Sequence, residues 1–178
     1  MLPRLWERNP EDGRRRLEEV RQLTRGALAE MRTLLLELRP SSLIEAELPY
    51  LLNQLGESIS GRAGLPVTVS VEGQFSFPTE VKVALYRIAQ EALNNVSKHA
   101  GARQANVNLL CESDRITLKI TDDGRGFDVS SISIDSLGLG IMRERAEDIM
   151  ASLSVQSRTG QGTEVMVVWQ NVPRERKK

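Results

Sequence analysis

The chain has 178 residues, 40% hydrophobic and 27% charged, a composition that predicts a folded domain rather than a disordered chain. Basic and acidic residues number 24 each, so the net charge is zero, and this balance excludes a non-specific nucleic-acid binder. The single cysteine, Cys111, and the single histidine, His99, exclude a disulfide framework and a Cys/His zinc site. No apolar run approaches the roughly 20 residues of a membrane span. We therefore expect a cytoplasmic chain without membrane contact.

Residues 11–39 are predicted to form one helix that Pro40 ends. Its apolar positions follow strict 3-4 spacing, which is typical of a helical bundle or coiled coil: Leu17, Val20, Thr24, Ala27, Met31, Leu34 and Leu38. Three further leucines widen the stripe and favour four-helix packing, hence a homodimer through this helix. From spacing alone, a core helix of the same domain explains the pattern equally well.

The rest of the chain alternates helices and strands. The predicted elements are a helix over 41–60, a strand over 67–71, a helix over 78–99, strands over 104–111 and 115–121, a helix over 139–151, and a hairpin of 153–157 and 163–169. Strands that are adjacent in sequence imply antiparallel pairs. We predict an α+β fold, a two-layer α/β sandwich with a mixed sheet and helices on one face.

Three segments carry groups suited to a nucleotide. Glu91, Asn95 and Lys98 share one helical face, and this set of a carboxylate, an amide oxygen and an ammonium suits a magnesium-bound polyphosphate. Asp122 follows a strand in a glycine-rich stretch, where it can accept a hydrogen bond from an adenine amino group. Residues 138–141 open a helix, whose N–H groups bind phosphate. Each segment alone is also explained by an ordinary polar surface.

The order of these segments and their amino-acid sequences resemble those of a known family. Residues 86–100 (YRIAQEALNNVSKHA) resemble the N box of sensor histidine kinases, residues 122–127 (DDGRGF) the G1 box and residues 138–145 (GLGIMRER) the G2 box. Residues 160–163 (GQGT) are similar to the last glycine motif of that family. Together with the sequence LRP before residue 41, they point to the subgroup that partners NarL/LuxR-type response regulators.

The resemblance implies a domain organisation and a set of ligands. Residues 43–170 would form a GHKL ATP-binding domain, residues 1–40 part of a dimerisation region, and residues 171–178 a charged tail. ATP and Mg²⁺ would be the cofactors, with residues 127–140 as a lid over the nucleotide.

The resemblance also assigns site residues. Asn95 would bind magnesium, and Glu91 would polarise the site of phosphoryl transfer. The other matched positions would contact or support the nucleotide: Lys98, His99, Asp122, Gly124, Gly126, Gly138, Leu139, Gly140 and Thr163. Among these, Asp122 would read adenine with support from Thr163.

One departure from the family concerns the phosphoacceptor. The family carries its acceptor histidine on the first bundle helix, whereas residues 1–9 contain no histidine and His99 lies within the N box. We therefore expect a kinase chain that is cut upstream of its second bundle helix. The sequence leaves open whether a longer protein is anchored in a membrane.

Two alternative functions remain at this stage. A stand-alone GHKL serine kinase of the anti-sigma-factor type would use the same nucleotide site, although such kinases lack a dimerisation-type helix. A nucleotide-binding dimer adaptor without turnover would keep both the helix and the site. Phosphotransfer to an added protein that carries the acceptor helix separates the adaptor from the enzyme.

Overall fold

The computed structural model describes residues 11–18, 20–21, 24, 27–28, 31, 40–73, 77–128 and 137–171. Every described residue between 11 and 31 is helical, as the heptad spacing predicts. Positions 34 and 38 of that pattern, the segment 1–10 and most of the tail lie outside the described residues. In the part of the chain that the structure covers, no helix combines the length and apolar character needed to cross a bilayer.

The apolar stripe of this N-terminal helical segment is exposed. Leu17, Val20 and Leu28 keep about half of their surface accessible, and Met31 keeps 62%. None of these four side chains contributes to the core of the domain. The interpretation as a core helix is therefore wrong for these positions, and the stripe is available to a partner.

The described residues from 40 onward form helices and strands in alternation. The elements are α1 (Pro40–Glu45), α2 (Leu48–Ala63), β1 (Val67–Glu72), α3 (Thr79–Asn95), a π-helical turn (Val96–Ala100), β2 (Ala105–Cys111), β3 (Arg115–Asp122), α4 (Leu137–Asp148), β4 (Ser152–Ser157) and β5 (Thr163–Gln170).

The five strands form one mixed sheet with the order β1-β2-β3-β5-β4. Strands β1 and β2 are parallel because α3 crosses between them, with Val67 opposite Ala105. The other three pairs are antiparallel, and Asp122 at the end of β3 lies opposite Thr163 at the start of β5. The predicted mixed sheet is confirmed.

The core lies between one face of this sheet and the helices. Alternate residues of β2 and β3 are buried, as expected for strands with only one covered face. In α3, Leu85, Ile88 and Ala89 are fully buried. Full burial of one large aliphatic side chain contributes about 1.5–3 kcal/mol. The two-layer sandwich predicted from the sequence is therefore confirmed.

The helix predicted over 41–60 is two helices. Pro40 is helical and is the first described residue of α1, and α2 begins after Glu47, with Pro49 in its first turn. The buried Lys82 of α3 donates hydrogen bonds to the carbonyl oxygens of Ile44 and Ala46, the second at 2.9 Å. A lysine thus satisfies the carbonyl end of α1 and attaches it to α3.

The end of α3 also differs in detail from the prediction. The helical path does extend to Ala100, but its last five residues have π-helical hydrogen bonding. Gly101 follows in the left-handed conformation, with φ of 58°. This φ suits glycine, as the position of Gly101 after the helix predicted.

Candidate functional site

A cavity of about 500 Å³ opens between the end of α3, the start of α4, the end of β3 and the start of β5. Most of its wall is apolar, and its polar lining residues are Asn95, His99, Asp122, Arg125 and Thr163. A mostly apolar cavity of this size with a few polar groups is typical of a small-molecule site.

Asp122 stands at the strand end of the cavity and is held by backbone groups. The Gly124 N–H donates to its Oδ1 at 2.8 Å. Burial raises the pKa of Asp122 above its ordinary value, and hydrogen bonds from the N–H groups of Gly124 and Thr163 oppose that rise. The carboxylate is therefore desolvated yet oriented, a state suited to accepting a hydrogen bond from a ligand.

The neighbouring Asp123 has a different environment. Its Oδ1 accepts hydrogen bonds from the N–H groups of Gln104 at 3.0 Å and Arg103 at 2.7 Å, and its side chain pairs with Arg103. These hydrogen bonds lower the pKa of Asp123 below its ordinary value. Asp123 therefore fastens the loop before β2 to the end of β3, while Asp122 faces the cavity.

Glu91 and Asn95 form a pair at the helical end of the site. The Asn95 Nδ2 donates to the Glu91 Oε1 at 3.4 Å, as their four-residue spacing on α3 predicts. Gly138 of α4 lies against both side chains, since a Cβ at this position would collide with the Glu91 Oε1. The start of α4 thus covers a carboxylate and an amide.

The loop after Asp122 is fixed by close backbone packing. Gly124 is buried, and a Cβ there would lie 2.5 Å from the Ala100 carbonyl oxygen and 2.7 Å from the Asp122 Oδ1. Arg125 donates its N–H to the same Ala100 carbonyl at 2.8 Å and accepts from the Gly160 N–H at 2.6 Å. The loop is therefore clamped between the end of α3 and the β4–β5 turn.

The predicted site residues fall into two groups. Seven of the eleven line the cavity: Asn95, His99, Asp122, Gly126, Gly138, Leu139 and Thr163. Of the other four, Glu91 contacts Asn95 and Gly124 supports Asp122. The Lys98 side chain is exposed, and the space beside Gly140 is open.

Several residues of the site were missed from the sequence. The apolar wall is contributed by Ala92, Val96, Ile120, Met142 and Val165. The periodicity of α3 and the alternation of the strands identified such positions only as core.

Comparison with known families identifies the domain. The family model for histidine kinase-, DNA gyrase B- and HSP90-like ATPases matches residues 80–173, and the histidine kinase model HisKA_3 matches residues 1–43. The chain belongs to this ATPase family. Its N-terminal match confirms the histidine kinase type that the N, G1 and G2 boxes indicate, and ATP is the nucleotide that such a domain uses.

Curated relatives support the same assignment. The chain is 30% identical over 152 residues to the signal transduction histidine-protein kinase/phosphatase DegS of Brevibacillus brevis, matching 85% of the chain and 39% of the relative. It is 32% identical over 162 residues to the sensor histidine kinase LiaS of Bacillus subtilis, 91% of the chain and 45% of the relative. The sensor protein VraS of Staphylococcus aureus is 32% identical over 148 residues, 83% of the chain and 42% of the relative. The chain therefore spans less than half the length of these relatives.

Solved structures share the fold. A blue-light activated histidine kinase from Erythrobacter litoralis superposes with a TM-score of 0.60 at 21% identity, over 73% of this chain and 47% of that one. The mycobacterial sensor histidine kinase MprB gives 0.54 at 19% identity, over 70% of this chain and 95% of that one. These likenesses confirm the predicted GHKL architecture.

Proposed function

We propose that the chain is the catalytic part of a two-component sensor histidine kinase. In this proposal the cavity binds ATP with Mg²⁺, and the γ-phosphoryl group passes to a histidine on a dimerisation helix and then to a response regulator of the NarL/LuxR type. The observation that carries the proposal is that Asp122 and Asn95 line the same cavity, with Glu91 hydrogen-bonded to Asn95.

Asp122 is proposed to read the adenine base. Its desolvated carboxylate is an acceptor for the adenine amino group, and Thr163 lies beside it. Apolar side chains such as Ile120, Val165 and Met142 offer surfaces to the faces of a flat base. A purine with an oxo group at position 6 would leave the carboxylate facing another acceptor, which costs binding energy.

Asn95 is proposed to hold Mg²⁺ through its amide oxygen. Among the described residues no group of three or more His, Cys, Asp or Glu side chains is placed to hold a metal. This donor set fits a hard cation that is bound mainly by water and phosphate oxygens and needs one or two protein oxygens. When bound, Mg²⁺ neutralises charge on the transferring phosphoryl group.

The other polar groups are proposed to act on the phosphates and the acceptor. Glu91 orients Asn95 through its Oε1 and supplies the carboxylate that polarises the acceptor. The helix start at Gly138, Leu139 and Gly140 offers backbone N–H groups to phosphate. Lys98 and His99 lie exposed in the π-helical turn, within the same edge of the site.

The N-terminal helical segment is proposed to form a homodimer. Its exposed stripe, which includes Leu17 and Met31, is the kind of apolar surface that a second copy of the helix covers. The residues assigned to the nucleotide lie between α3 and β5, so dimerisation and nucleotide binding use different parts of the chain.

Transfer of labelled phosphate from ATP to a supplied dimerisation helix that carries the acceptor histidine tests the proposal. We expect acid-labile, base-stable label on the supplied histidine and none on this chain, whose only histidine, His99, lines the nucleotide cavity. Asn95→Asp and Glu91→Gln are expected to abolish the transfer. Asn94→Asp is the matched control, because the Asn94 side chain accepts a hydrogen bond from Arg62 at 3.0 Å and an aspartate keeps that acceptor.

Other outcomes would favour the alternative functions. Base-labile, acid-stable label on a serine would support a serine kinase of the anti-sigma-factor type. Saturable ATP binding with no label on any partner would support an adaptor without turnover. Label on this chain that disappears in His99→Ala would contradict the assignment of His99 to the nucleotide site.

A further inference from the structure

We propose that Ser157 is a positioning residue for adenine recognition, because its hydroxyl accepts a hydrogen bond from the Thr163 hydroxyl. Thr163 then presents a lone pair, rather than a proton, beside Asp122. This inference rests on the proposed function, in which Asp122 reads the adenine amino group, and it names a residue that sets the selectivity of that site.

The Ser157 hydroxyl contacts three different segments. It is the last residue of β4 and pairs with Thr163, the first residue of β5. Its Oγ donates to the Gly162 carbonyl at 2.9 Å and accepts from the Phe127 N–H at 2.9 Å. The Thr163 Oγ1 lies 3.0 Å from the same Oγ.

The direction of the contact between the two hydroxyls follows from the hydrogen-bonding capacity of Ser157. A serine hydroxyl has one proton and two lone pairs. The Gly162 carbonyl can only accept, so Ser157 donates its hydroxyl proton to it in a hydrogen bond. The Phe127 N–H can only donate, so it occupies one lone pair of the Ser157 hydroxyl. The remaining lone pair is available to Thr163, so Thr163 is the donor whenever Ser157 donates to Gly162 and the two hydroxyls form a hydrogen bond.

This direction changes what Thr163 offers to a ligand. The Thr163 hydroxyl also donates a hydrogen bond to the Asp122 carboxylate, which opposes the rise in the pKa of Asp122 that burial causes. One proton serves only one acceptor at a time, and Ser157 competes with Asp122 for it. When the Thr163 hydroxyl donates to Ser157, a lone pair of Thr163 and the Asp122 carboxylate form two neighbouring acceptors. These acceptors match the two hydrogens of an amino group and repel an oxo group.

Removal of the Ser157 hydroxyl would remove one of the two acceptors that compete for the proton of the Thr163 hydroxyl. Thr163 is then able to rotate and donate to a carbonyl oxygen, which makes a 6-oxo purine more acceptable. ITP is the sharpest probe, because hypoxanthine differs from adenine only at the 6-substituent and the adjacent ring nitrogen. We expect Ser157→Ala to reduce the preference for ATP over ITP by about three- to tenfold, as expected for one lost polar discrimination.

The test is calorimetric titration of the 178-residue chain and its variants with ATP and with ITP in the presence of Mg²⁺. Ser157→Thr retains the hydroxyl and is expected to retain the preference. Ser152→Ala is the matched control, because Ser152 lies on the same strand and its hydroxyl contacts the Val168 carbonyl at 3.5 Å, at the opposite end of the hairpin. Its preference is expected to stay unchanged.

A purely structural role for Ser157 gives a different result. Loss of an anchor for the loop would weaken both nucleotides equally, and an unchanged ATP/ITP ratio in Ser157→Ala would overturn the inference. In a Thr163→Val background, Ser157→Ala is expected to leave the ratio unchanged, because Ser157 acts through the Thr163 hydroxyl. A further fall of the ATP/ITP ratio in the Thr163→Val background would also overturn the inference.

Two outcomes separate this inference from the proposed function. If the unmutated chain binds ATP and ITP equally, the reading of adenine by Asp122 fails, and the inference fails with it. If the unmutated chain prefers ATP and Ser157→Ala keeps the full preference, only the role of Ser157 fails. Should Ser157→Ala not fold, as judged by circular dichroism, Ser157→Cys answers the same question, because a thiol is a weak donor and acceptor.

Discussion

Gly138, at the start of α4, packs directly against the side chain of Glu91 on α3. A Cβ at Gly138 would collide with the Glu91 Oε1 and stand 3.1 Å from the Asn95 Nδ2. A side chain at this position would therefore force the Glu91 carboxylate, the end of a flexible side chain, to move. The glycine lets the pair that is proposed to hold magnesium and polarise the acceptor keep its present arrangement.

Gly138→Ala is predicted to weaken Mg·ATP binding by at least tenfold, which corresponds to about 1.4 kcal/mol. The methyl group would push the Glu91 carboxylate away from Asn95. Gly140→Ala is the matched control two residues further along α4, where a Cβ meets open space. It is predicted to keep the affinity and to stabilise the helix by about 0.5–1 kcal/mol. Equal affinities of the two variants for Mg·ATP, measured by calorimetry, would contradict the proposed role of the Glu91–Asn95 pair.

The two neighbouring aspartates are predicted to titrate in opposite directions. In a carboxyl-detected NMR titration, Asp122 should titrate above its ordinary pKa of 3.8 because it is buried. Asp123 should titrate below 3.8 because the N–H groups of Gln104 and Arg103 donate to it. Binding of ATP is expected to lower the pKa of Asp122, because a donated hydrogen bond favours the charged form, and to leave Asp123 unchanged.

These shifts have opposite effects on stability. Asp122, whose pKa is raised on folding, stabilises the fold below pH 3.8, and this contribution is lost as pH rises through the folded pKa. Asp123, whose pKa is lowered, stabilises the fold above pH 3.8, and its contribution is lost as pH falls through the folded pKa. Asp123→Asn is therefore predicted to lower Tm at pH 7, with a difference that shrinks below pH 3.8.

Charged substitutions on the exposed stripe are predicted to give a monomer. Val20→Lys combined with Met31→Glu places charges where a second helix would pack, so sedimentation should show loss of the dimer. The affinity for ATP should not change, because these residues lie outside the cavity. Arg16→Glu, at an exposed position of the same segment, is the control and should keep the dimer. A monomer already present in the unmutated chain at high concentration would contradict the proposed homodimer.

Lys82→Met is predicted to destabilise the domain by roughly 1–3 kcal/mol in urea denaturation. The carbonyl groups of Ile44 and Ala46 would lose their buried donor, and unsatisfied groups of this kind cost that amount. Lys119→Met is the control, because Lys119 forms a partly exposed ion pair with Glu164, and ion pairs at the surface contribute about 0–1 kcal/mol. Similar losses for the two variants would show that Lys82 does not hold α1 in place.

The fold was largely predictable because most of its elements have clear periodicity. The sequence also places the helical end of the site, since the four-residue spacing of Glu91 and Asn95 brings them onto one face of α3. The split of the helix over 41–60 was missed, although Pro49 carried a signal, because proline is favoured in the first turn of a helix. The leucines on both sides of the break continued an apolar pattern and concealed it.

Other features depend on tertiary structure and were not predictable from spacing. The insertion of β5 between β3 and β4 brings Asp122 opposite Thr163, and no local pattern encodes that order of strands. The contact of Gly138 with Glu91 joins two helices far apart in sequence. Ser157 contacts Phe127, 30 residues away, only because the β4–β5 turn packs on the loop after β3.

The most direct test of the proposed nucleotide site is calorimetric titration of the 178-residue chain with ATP and with GTP in the presence of Mg²⁺. The cavity that contains Asp122 predicts saturable ATP binding and at least tenfold weaker GTP binding, a difference of about 1.4 kcal/mol. Equal affinity for the two nucleotides, or no binding of ATP, would contradict the assignment of this cavity to ATP.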